Sequence, residues 1–448
     1  MGLVGFVKLF GLLVSLAIAT PALAQADEDL LTGHWQGALM RDGAPLLVEM
    51  EISRGDDGLV AETRFPEWLT YQSSMDAVRI DERVIIEDFY GDDAVLELDP
   101  KFAQMVGSVG DERRLHLKKV APPGRWQTEA REIELEADGR ALRGSLVSPM
   151  GEGVFPALLL IQGRGCTTRS LGTAEAFARQ GYVVLTMDRG GAGKSEGDCA
   201  TSRFEGLAIE SNAAFTFLAE QEQVDPDRVG LVGTSLGGWV AQAVAGDLAG
   251  EETAPSFLVT WVGPATSILQ QQYESADTFA AMADLDEERT TLVRRSVTLA
   301  ANGGDDAFAE LAAIYAQANE EGWKDSLYAP DDLPETAADG PGIFLQRYRY
   351  DPAEDAEALG DIAYLAMFGE VDPIVPLASN RAAFKALTAG NDRARIYVVT
   401  GQGHGLEHGD QMVELPSGAT YFKHDTVEPR YMIETLRFLD DMGFAGPR

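Results

Sequence analysis

Between Asp27 and about Ala121 the chain alternates apolar and polar residues in short runs. Ala44–Ile52, Ala77–Gly91 and Arg113–Val120 are examples, separated by turns rich in Gly and Asp at Gly55–Gly58 and Gly91–Asp93. A period of two puts one side of each strand in a core and the other in water, which predicts a small antiparallel β domain over 27–121. Pro122-Pro123-Gly124 breaks the pattern, and 122–130 reads as a linker.

From Arg131 the texture changes. Arg131–Asp138 and Ala141–Pro149 predict a leading hairpin, and Phe155–Gly163 is a continuous apolar run, as a strand covered on both faces requires. Helical stretches at Ser170–Gly181, Arg203–Gln221 and Leu236–Gly246 then alternate with strand-like runs at Tyr182–Asp188, Arg228–Gly233 and Ser256–Gly263. The alternation resumes with the strand Ala363–Gly369, the helix Leu377–Gly390, the strand Arg395–Gly401 and a last helix, Glu428–Met442. The predicted fold class for 131–448 is therefore α/β, a mostly parallel sheet covered on both faces. The interruption at 264–360 is polar, acidic and helix-favouring. It is too long for an ordinary loop and predicts a helical insertion over one end of the sheet, a lid.

Residues 1–26 stand apart from both patterns. Lys8 precedes an apolar run from Leu9 to Ala19, and small-residue cleavage patterns follow at Ala22-Leu23-Ala24 and Ala24-Gln25-Ala26. This is the pattern of a cleaved secretory leader, and the run is shorter than the roughly 20 apolar residues that a spanning helix needs. The expected location is periplasmic or extracellular. No later run is apolar enough to span, so no membrane partner is expected after cleavage, and nothing in the pattern specifies an oligomer. The 448 residues carry 36 basic against 72 acidic side chains, a formal charge of −36. That excess opposes nucleic acid as a partner, because phosphate binding needs clustered Lys and Arg.

Export changes the reading of the two cysteines, Cys166 and Cys199. Both follow predicted strands of one sheet, and an oxidising compartment favours a bridge between them. Closing that loop stabilises by about 3–4 kcal/mol in the chain-entropy account. Two cysteines alone do not make a zinc site.

Chemistry concentrates in the second domain. Gly233-Thr234-Ser235-Leu236-Gly237 matches G-x-S-x-G between an apolar strand and an Ala/Val-rich helix. In that context a sharp strand-to-helix turn presents the Ser235 hydroxyl above the sheet, with the Leu236 N–H at the helix start aimed at a developing oxyanion. Gly193-Lys194-Ser195-Glu196-Gly197 also matches, but no helix-favouring run begins there, and it reads as a loop. The same stretch resembles the end of a phosphate-binding loop whose first glycine is replaced by Asp188, so no nucleotide site is expected.

Of five histidines, His34 and His116 fall among strands of the first domain. His404, in Thr400–Gly405, directly follows a late strand, where a general base can reach Ser235. Asp372, in Gly369–Pro376, follows the preceding strand and can orient His404, with Glu370 as the rival acid. His404 to His408 also spells H-x-x-E-H, but the glycines at 401, 403, 405 and 409 oppose the helix a zinc site would need. No residue-level case exists for His408 or His424. The second oxyanion donor is expected from the loop Gln162-Gly163-Arg164-Gly165-Cys166, with Arg164 N–H first and Gly165 N–H second. Gly165 and the Arg164 and Arg169 side chains are candidates for binding substrate.

With this nucleophile, acid and base placed, the chain resembles the α/β-hydrolase family from about Arg131 to the C-terminus. It is most similar to bacterial exported esterases related to dienelactone hydrolases and acyl-peptide-type serine peptidases. The family's glycine loop and D-x-R-G-x-G-x-S-x-G segment have counterparts here, the latter in Asp188 to Gly197 with the arginine, Arg189, directly after Asp188. Dienelactone hydrolases use Cys where this chain has Ser235, and many members carry His-Gly where this chain has Gln162-Gly163. The N-terminal β domain is similar to the accessory domain of some two-domain esterases, where it would shield the site or bind a polymer. The resemblance implies an exported Ser-His-Asp hydrolase of small carboxylic esters, with peptides as the alternative substrate and a non-catalytic binding protein as the remote one. No metal or organic cofactor is implied.

Overall fold

The structure, a computed structural model, describes residues 28, 30–69, 75–80, 83–120, 126–199, 202–327, 333 and 349–447. The leader at 1–26, the Pro122-Pro123-Gly124 break and most of 328–348 within the insertion lie outside the described residues. Two compact units make up the chain, one within 1–64 and 73–122, the other within 65–72 and 123–448.

The first unit is a closed barrel of eight strands, each antiparallel to the next: β1 (Gly33–Arg41), β2 (Ala44–Gly55), β3 (Gly58–Arg64), β4 (Met75–Ile80), β5 (Val84–Phe89), β6 (Asp92–Asp99), β7 (Gln104–Val109) and β8 (Arg113–Lys119). Alternation decides what faces inward. In β2 the side chains of Ala44, Leu46, Val48, Met50 and Ile52 are buried and their neighbours are not. β1 closes the ring on β8, with Trp35 opposite Lys119 and Met40 opposite Arg114. Closure removes the unpaired strand edges that an open sheet of this size would expose.

The second unit is built on an eight-stranded sheet. Its strands are β9 (Thr128–Ala137), β10 (Arg140–Pro149), β11 (Phe155–Ile161), β12 (Val183–Met187), β13 (Val224–Thr234), β14 (Phe257–Trp261), β15 (Ala363–Gly369) and β16 (Ala394–Val399), in the order β16-β15-β14-β13-β11-β12-β10-β9. β9 begins at Thr128, inside the stretch that reads as linker, because its pairing with β10 extends to Thr128 opposite Pro149. The β9–β10 hairpin is antiparallel, and β11 to β16 run parallel. The connecting helices are α1 (Leu171–Ala178), α2 (Phe204–Ala219) and α3 (Leu236–Asp247). Three more, α4 (Ile268–Met282), α5 (Glu287–Asn302) and α6 (Asp305–Glu321), form the insertion. Then come α7 (Ala356–Asp361), α8 (Leu377–Leu387) and α9 (Pro429–Asp441).

Both faces of the sheet are covered, and consecutive residues serve opposite cores. Leu159 and Leu231 pack with Phe215 of α2 and Val240 of α3, while Leu158 and Val232 pack with Phe177 of α1 and Leu439 of α9. Each of these buried side chains contributes about 1.5–3 kcal/mol relative to exposure. The insertion belongs to the first of these cores. Val293, Val297, Leu311, Ile314 and Ala318 bury there together with α3, so the insertion is packed structure and not an appended loop. Two of its three helices carry side-chain caps, with Ser267 accepting from Gln270 N–H and Asp286 from Arg289 N–H. Among the described residues no helix is long and apolar enough to cross a membrane. The sequence pattern predicts no element between the late strand and the last helix. The structure instead places two small antiparallel ladders between them, Glu407–His408 with Thr426–Val427 and Gln411–Glu414 with Thr420–Lys423.

Cys166 and Cys199 form a disulfide across 33 positions, with Cα atoms 5.5 Å apart. Replacing both by serine is expected to lower unfolding free energy by about 3–4 kcal/mol in urea titrations. Reductant should lower the parent's stability toward that of the double variant and leave the double variant unchanged.

Candidate active site

Ser235 lies between β13 and α3 with φ 52° and ψ −122°, a left-handed conformation that a residue with a side chain rarely adopts. Two glycines permit it. A Cβ on Gly233 would meet the Gly237 carbonyl oxygen at 2.2 Å, and one on Gly237 would meet the Ile161 carbonyl oxygen at 2.2 Å. The elbow is therefore wedged against the end of β11. Leu236 opens α3, in the first turn where N–H groups have no helical partner.

Two other strand ends bring the partners. Ser235 Oγ is 2.9 Å from His404 Nε2, and His404 Nδ1 is 2.8 Å from Asp372 Oδ2. Asp372 follows β15 and His404 follows β16. The Asp372 side chain is fully buried while that of His404 keeps 20% exposure, so the acid is shut from water and the base remains reachable. Asp372 Oδ1 accepts the N–H groups of Ile374 and Val375 at 2.8 and 2.9 Å, which orients the carboxylate before His404 is considered. Glu370, the rival acid, instead accepts the Gly401 N–H at 2.9 Å.

The loops carrying acid and base are laced together. Glu370 N–H donates to the Val399 carbonyl and Val371 N–H to the Gln402 carbonyl. Gln402, buried, donates through Nε2 to the Gly405 carbonyl and so braces the turn around His404. The acid loop is also held from the insertion: Gln271 Nε2 and Ser275 Oγ of α4 both donate to the Ile374 carbonyl, at 2.5 and 2.9 Å. Sequence reasoning missed Gln402, Gln271 and Ser275. A glutamine two positions before the base carries a faint signal, and polar residues inside an amphipathic helix carry almost none.

The glycine loop after β11 stands beside the nucleophile. A Cβ on Gly163 would sit 3.3 Å from Ser235 Cβ and 3.9 Å from Oγ. Arg164 and Gly165 follow, exposed, Gly165 with φ +109°. Cys166 then ties the loop through the disulfide to Cys199.

Arg169 corrects the sequence reading. It was a candidate for binding a substrate carboxylate, but four of its five N–H donors are committed inside the protein. Nε and Nη2 reach the two oxygens of Asp188 at 3.1 and 2.6 Å, and Nη1 reaches the Gly144 carbonyl at 2.8 Å and Ser145 Oγ at 2.9 Å. Burial opposes ionisation of Asp188, but the Arg169 guanidinium with the N–H groups of Arg169 and Lys194 outweighs it and holds the carboxyl below the usual carboxylate range. Ser195 of the second G-x-S-x-G is likewise structural, donating to the Asp188 carbonyl at 2.7 Å and accepting from Arg143 N–H at 2.9 Å. His34 and His116 belong to the barrel unit, His116 sharing a 2.7 Å hydrogen bond with Gln104. His424 is buried edge-on against Phe422. Residues 407–408 form a strand, not the helix an H-x-x-E-H metal site requires.

Comparison with known proteins bears on this site. The sequence matches the X-Pro dipeptidyl-peptidase (S15) family over residues 138–338, which include Ser235 and end before Asp372. A stretch of 118 residues is 36% identical to the thiohydrolase aneE of Aspergillus aculeatus, covering 25% of this chain and 36% of that protein, so the match spans about a third of the relative. Among solved structures, a puromycin-hydrolyzing peptidase of Mycobacterium tuberculosis aligns at 15% identity and TM-score 0.43, over 91% of this chain and 54% of its own. Brefeldin A esterase, described as a bacterial homologue of human hormone sensitive lipase, aligns at 18% identity and TM-score 0.40, over 73% of this chain and 79% of its own.

The Asp188–Arg169 pair ties the segment after β12 to β10, and its loss should be felt as stability. Asp188→Asn leaves the largely buried Arg169 guanidinium with only the exposed Glu132 carboxylate, 3.6 Å away, as counter-charge, at a cost of about 3 kcal/mol in chemical denaturation. The lowered carboxyl pKa gives the pH dependence. The stabilisation is fully present above the pKa Asp188 has in the unfolded chain and is lost as pH falls through the folded value. The gap between parent and variant should therefore narrow in acid.

Proposed function

We propose, since the chain belongs to the α/β-hydrolase family, that this hydrolase cleaves small carboxylic esters through an acyl-enzyme on Ser235. One observation carries the reading: the unbroken series from Asp372 through His404 to Ser235, at 2.8 and 2.9 Å. Ser235 Oγ attacks the acyl carbon as its proton passes to His404 Nε2. Asp372 holds the imidazole in the tautomer that accepts this proton and stabilises the imidazolium that forms. The tetrahedral oxyanion faces the N–H groups of Leu236 and Arg164, each donor contributing about 3–4 kcal/mol to the transition state. Collapse breaks the carbon–oxygen bond of the leaving alcohol, which takes the proton from His404. Water then adds to the acyl-enzyme with His404 as base, releasing the acid and restoring Ser235.

The Cys166–Cys199 bridge supports work in an oxidising compartment, in keeping with the leader pattern at 1–26. A peptide substrate is the second reading, favoured by the S15 match over 138–338. The thiohydrolase relative adds thioesters to the acyl compounds worth assaying.

A panel of p-nitrophenyl esters, acyl thioesters and X-Pro p-nitroanilides separates these. The ester reading expects the highest kcat/KM on an ester, and a higher value on the nitroanilides would replace it by the peptidase one. Ser235→Ala and Asp372→Asn are each expected to lower kcat by about 10⁴-fold or more. Full turnover by Ser235→Ala would remove the acyl-enzyme altogether.

A further inference from the structure

Arg189 directly follows Asp188 in the stretch Asp188 to Gly197, with no role yet given to it, and its guanidinium meets the glycine loop in an unusual way. Nη1 donates to the Gly165 carbonyl at 2.5 Å. Nη2 donates to the Gly163 carbonyl at 2.7 Å and, at 3.3 Å, to the Gln162 carbonyl. Its own N–H donates to the Thr167 carbonyl at 3.2 Å. One side chain thus gathers three carbonyls of the loop that stands against Ser235, and the backbone on either side of that side chain is fixed as well. Asp188 N–H donates to the Arg143 carbonyl at 2.8 Å, and Gly190 N–H donates to the buried carboxylate of Glu210 at 3.1 Å.

The consequence follows from peptide geometry. In a trans peptide the C=O and N–H point in opposite directions. With the Gly163 carbonyl drawn to Arg189, the Arg164 N–H of the same peptide plane is turned away from Arg189. Gly163 meanwhile presents its α-carbon to Ser235, where a Cβ would lie 3.3 Å from the serine Cβ. A flip of this glycine-flanked plane would turn the carbonyl dipole around and set an oxygen where a hydrogen-bond donor is needed. A cation bound to three carbonyl oxygens opposes that flip in a loop whose glycines leave the backbone conformationally free.

We propose that Arg189 is a positioning residue for the oxyanion site, acting through the Gly163–Arg164 peptide and touching no substrate. This rests on the hydrolase reading and adds to it the device that makes the loop a donor. Arginine suits the task because its planar fork engages several acceptors at once, whereas a lysine ammonium is a single point of charge on a flexible stem.

The test uses the full chain with Arg189→Lys and Arg189→Gln. Four readouts are taken: kcat and KM on the best p-nitrophenyl ester, inhibition by a trifluoromethyl ketone that mimics the tetrahedral intermediate, labelling of Ser235 by a fluorophosphonate, and melting temperature. The proposal expects kcat to fall about 10- to 100-fold with KM within about twofold, since losing one oxyanion donor outright costs about 10²–10³ in rate. Affinity for the ketone should fall in parallel, and Arg189→Lys should recover only part of either loss. A folded variant with kcat and ketone affinity within about twofold of the parent would overturn the role. So would a loss of kcat that leaves ketone affinity intact. Where Arg189→Gln fails to fold, Arg189→Lys, which keeps the charge, decides. A parent enzyme that does not label at Ser235 would sink the hydrolase reading itself, an outcome distinct from failure of the Arg189 variants.

Discussion

The site depends on one enforced backbone conformation. Ser235 is held at positive φ, at a cost of roughly 1–3 kcal/mol that only its surroundings can sustain. Gly233 packs against the Gly237 carbonyl and Gly237 against the Ile161 carbonyl, so the strained turn is wedged between α3 and β11. That wedge lifts the hydroxyl clear of the sheet. It also couples Ser235 to the strand from which the glycine loop departs.

Around this elbow the protein spends its polar interactions on loops rather than on side chains facing solvent. The acid is oriented by two backbone N–H groups, the base loop is braced by Gln402, and the Ile374 carbonyl is held by Gln271 and Ser275 of the insertion. The insertion therefore contributes to the geometry of the acid loop. The glycine loop is tied three ways, through the disulfide, Arg189 N–H and the Arg189 guanidinium. Ser235, Asp372 and His404 sit on loops because the ends of parallel strands converge there, and convergence alone does not fix a loop to a few tenths of an ångström.

Much of this was legible along the chain. The period-two runs marked the strands of the first unit, the continuous apolar runs marked the buried strands of the second, and G-x-S-x-G in strand-to-helix context marked Ser235. Closure of the barrel was not legible, because it rests on β1 pairing with β8 across some eighty residues and leaves no local trace. The ladders between 407 and 427 are two to four residues long, too short for any period to show. Arg169 misled because an arginine in a loop beside a site looks available, and only the fold brings Asp188 under it.

Local sequence by itself determined the longer strands and helices and the elbow at Ser235, because these follow from side-chain periodicity and from what glycine and serine allow within a few bonds. Tertiary structure decided which arginine was spent on a buried carboxylate and which on the loop carbonyls. It also decided which of two acids faces the imidazole, and how the insertion reaches the acid loop. Those choices are contests between groups tens to more than a hundred residues apart in the chain. They are resolved by distance and burial, which no stretch of sequence encodes on its own.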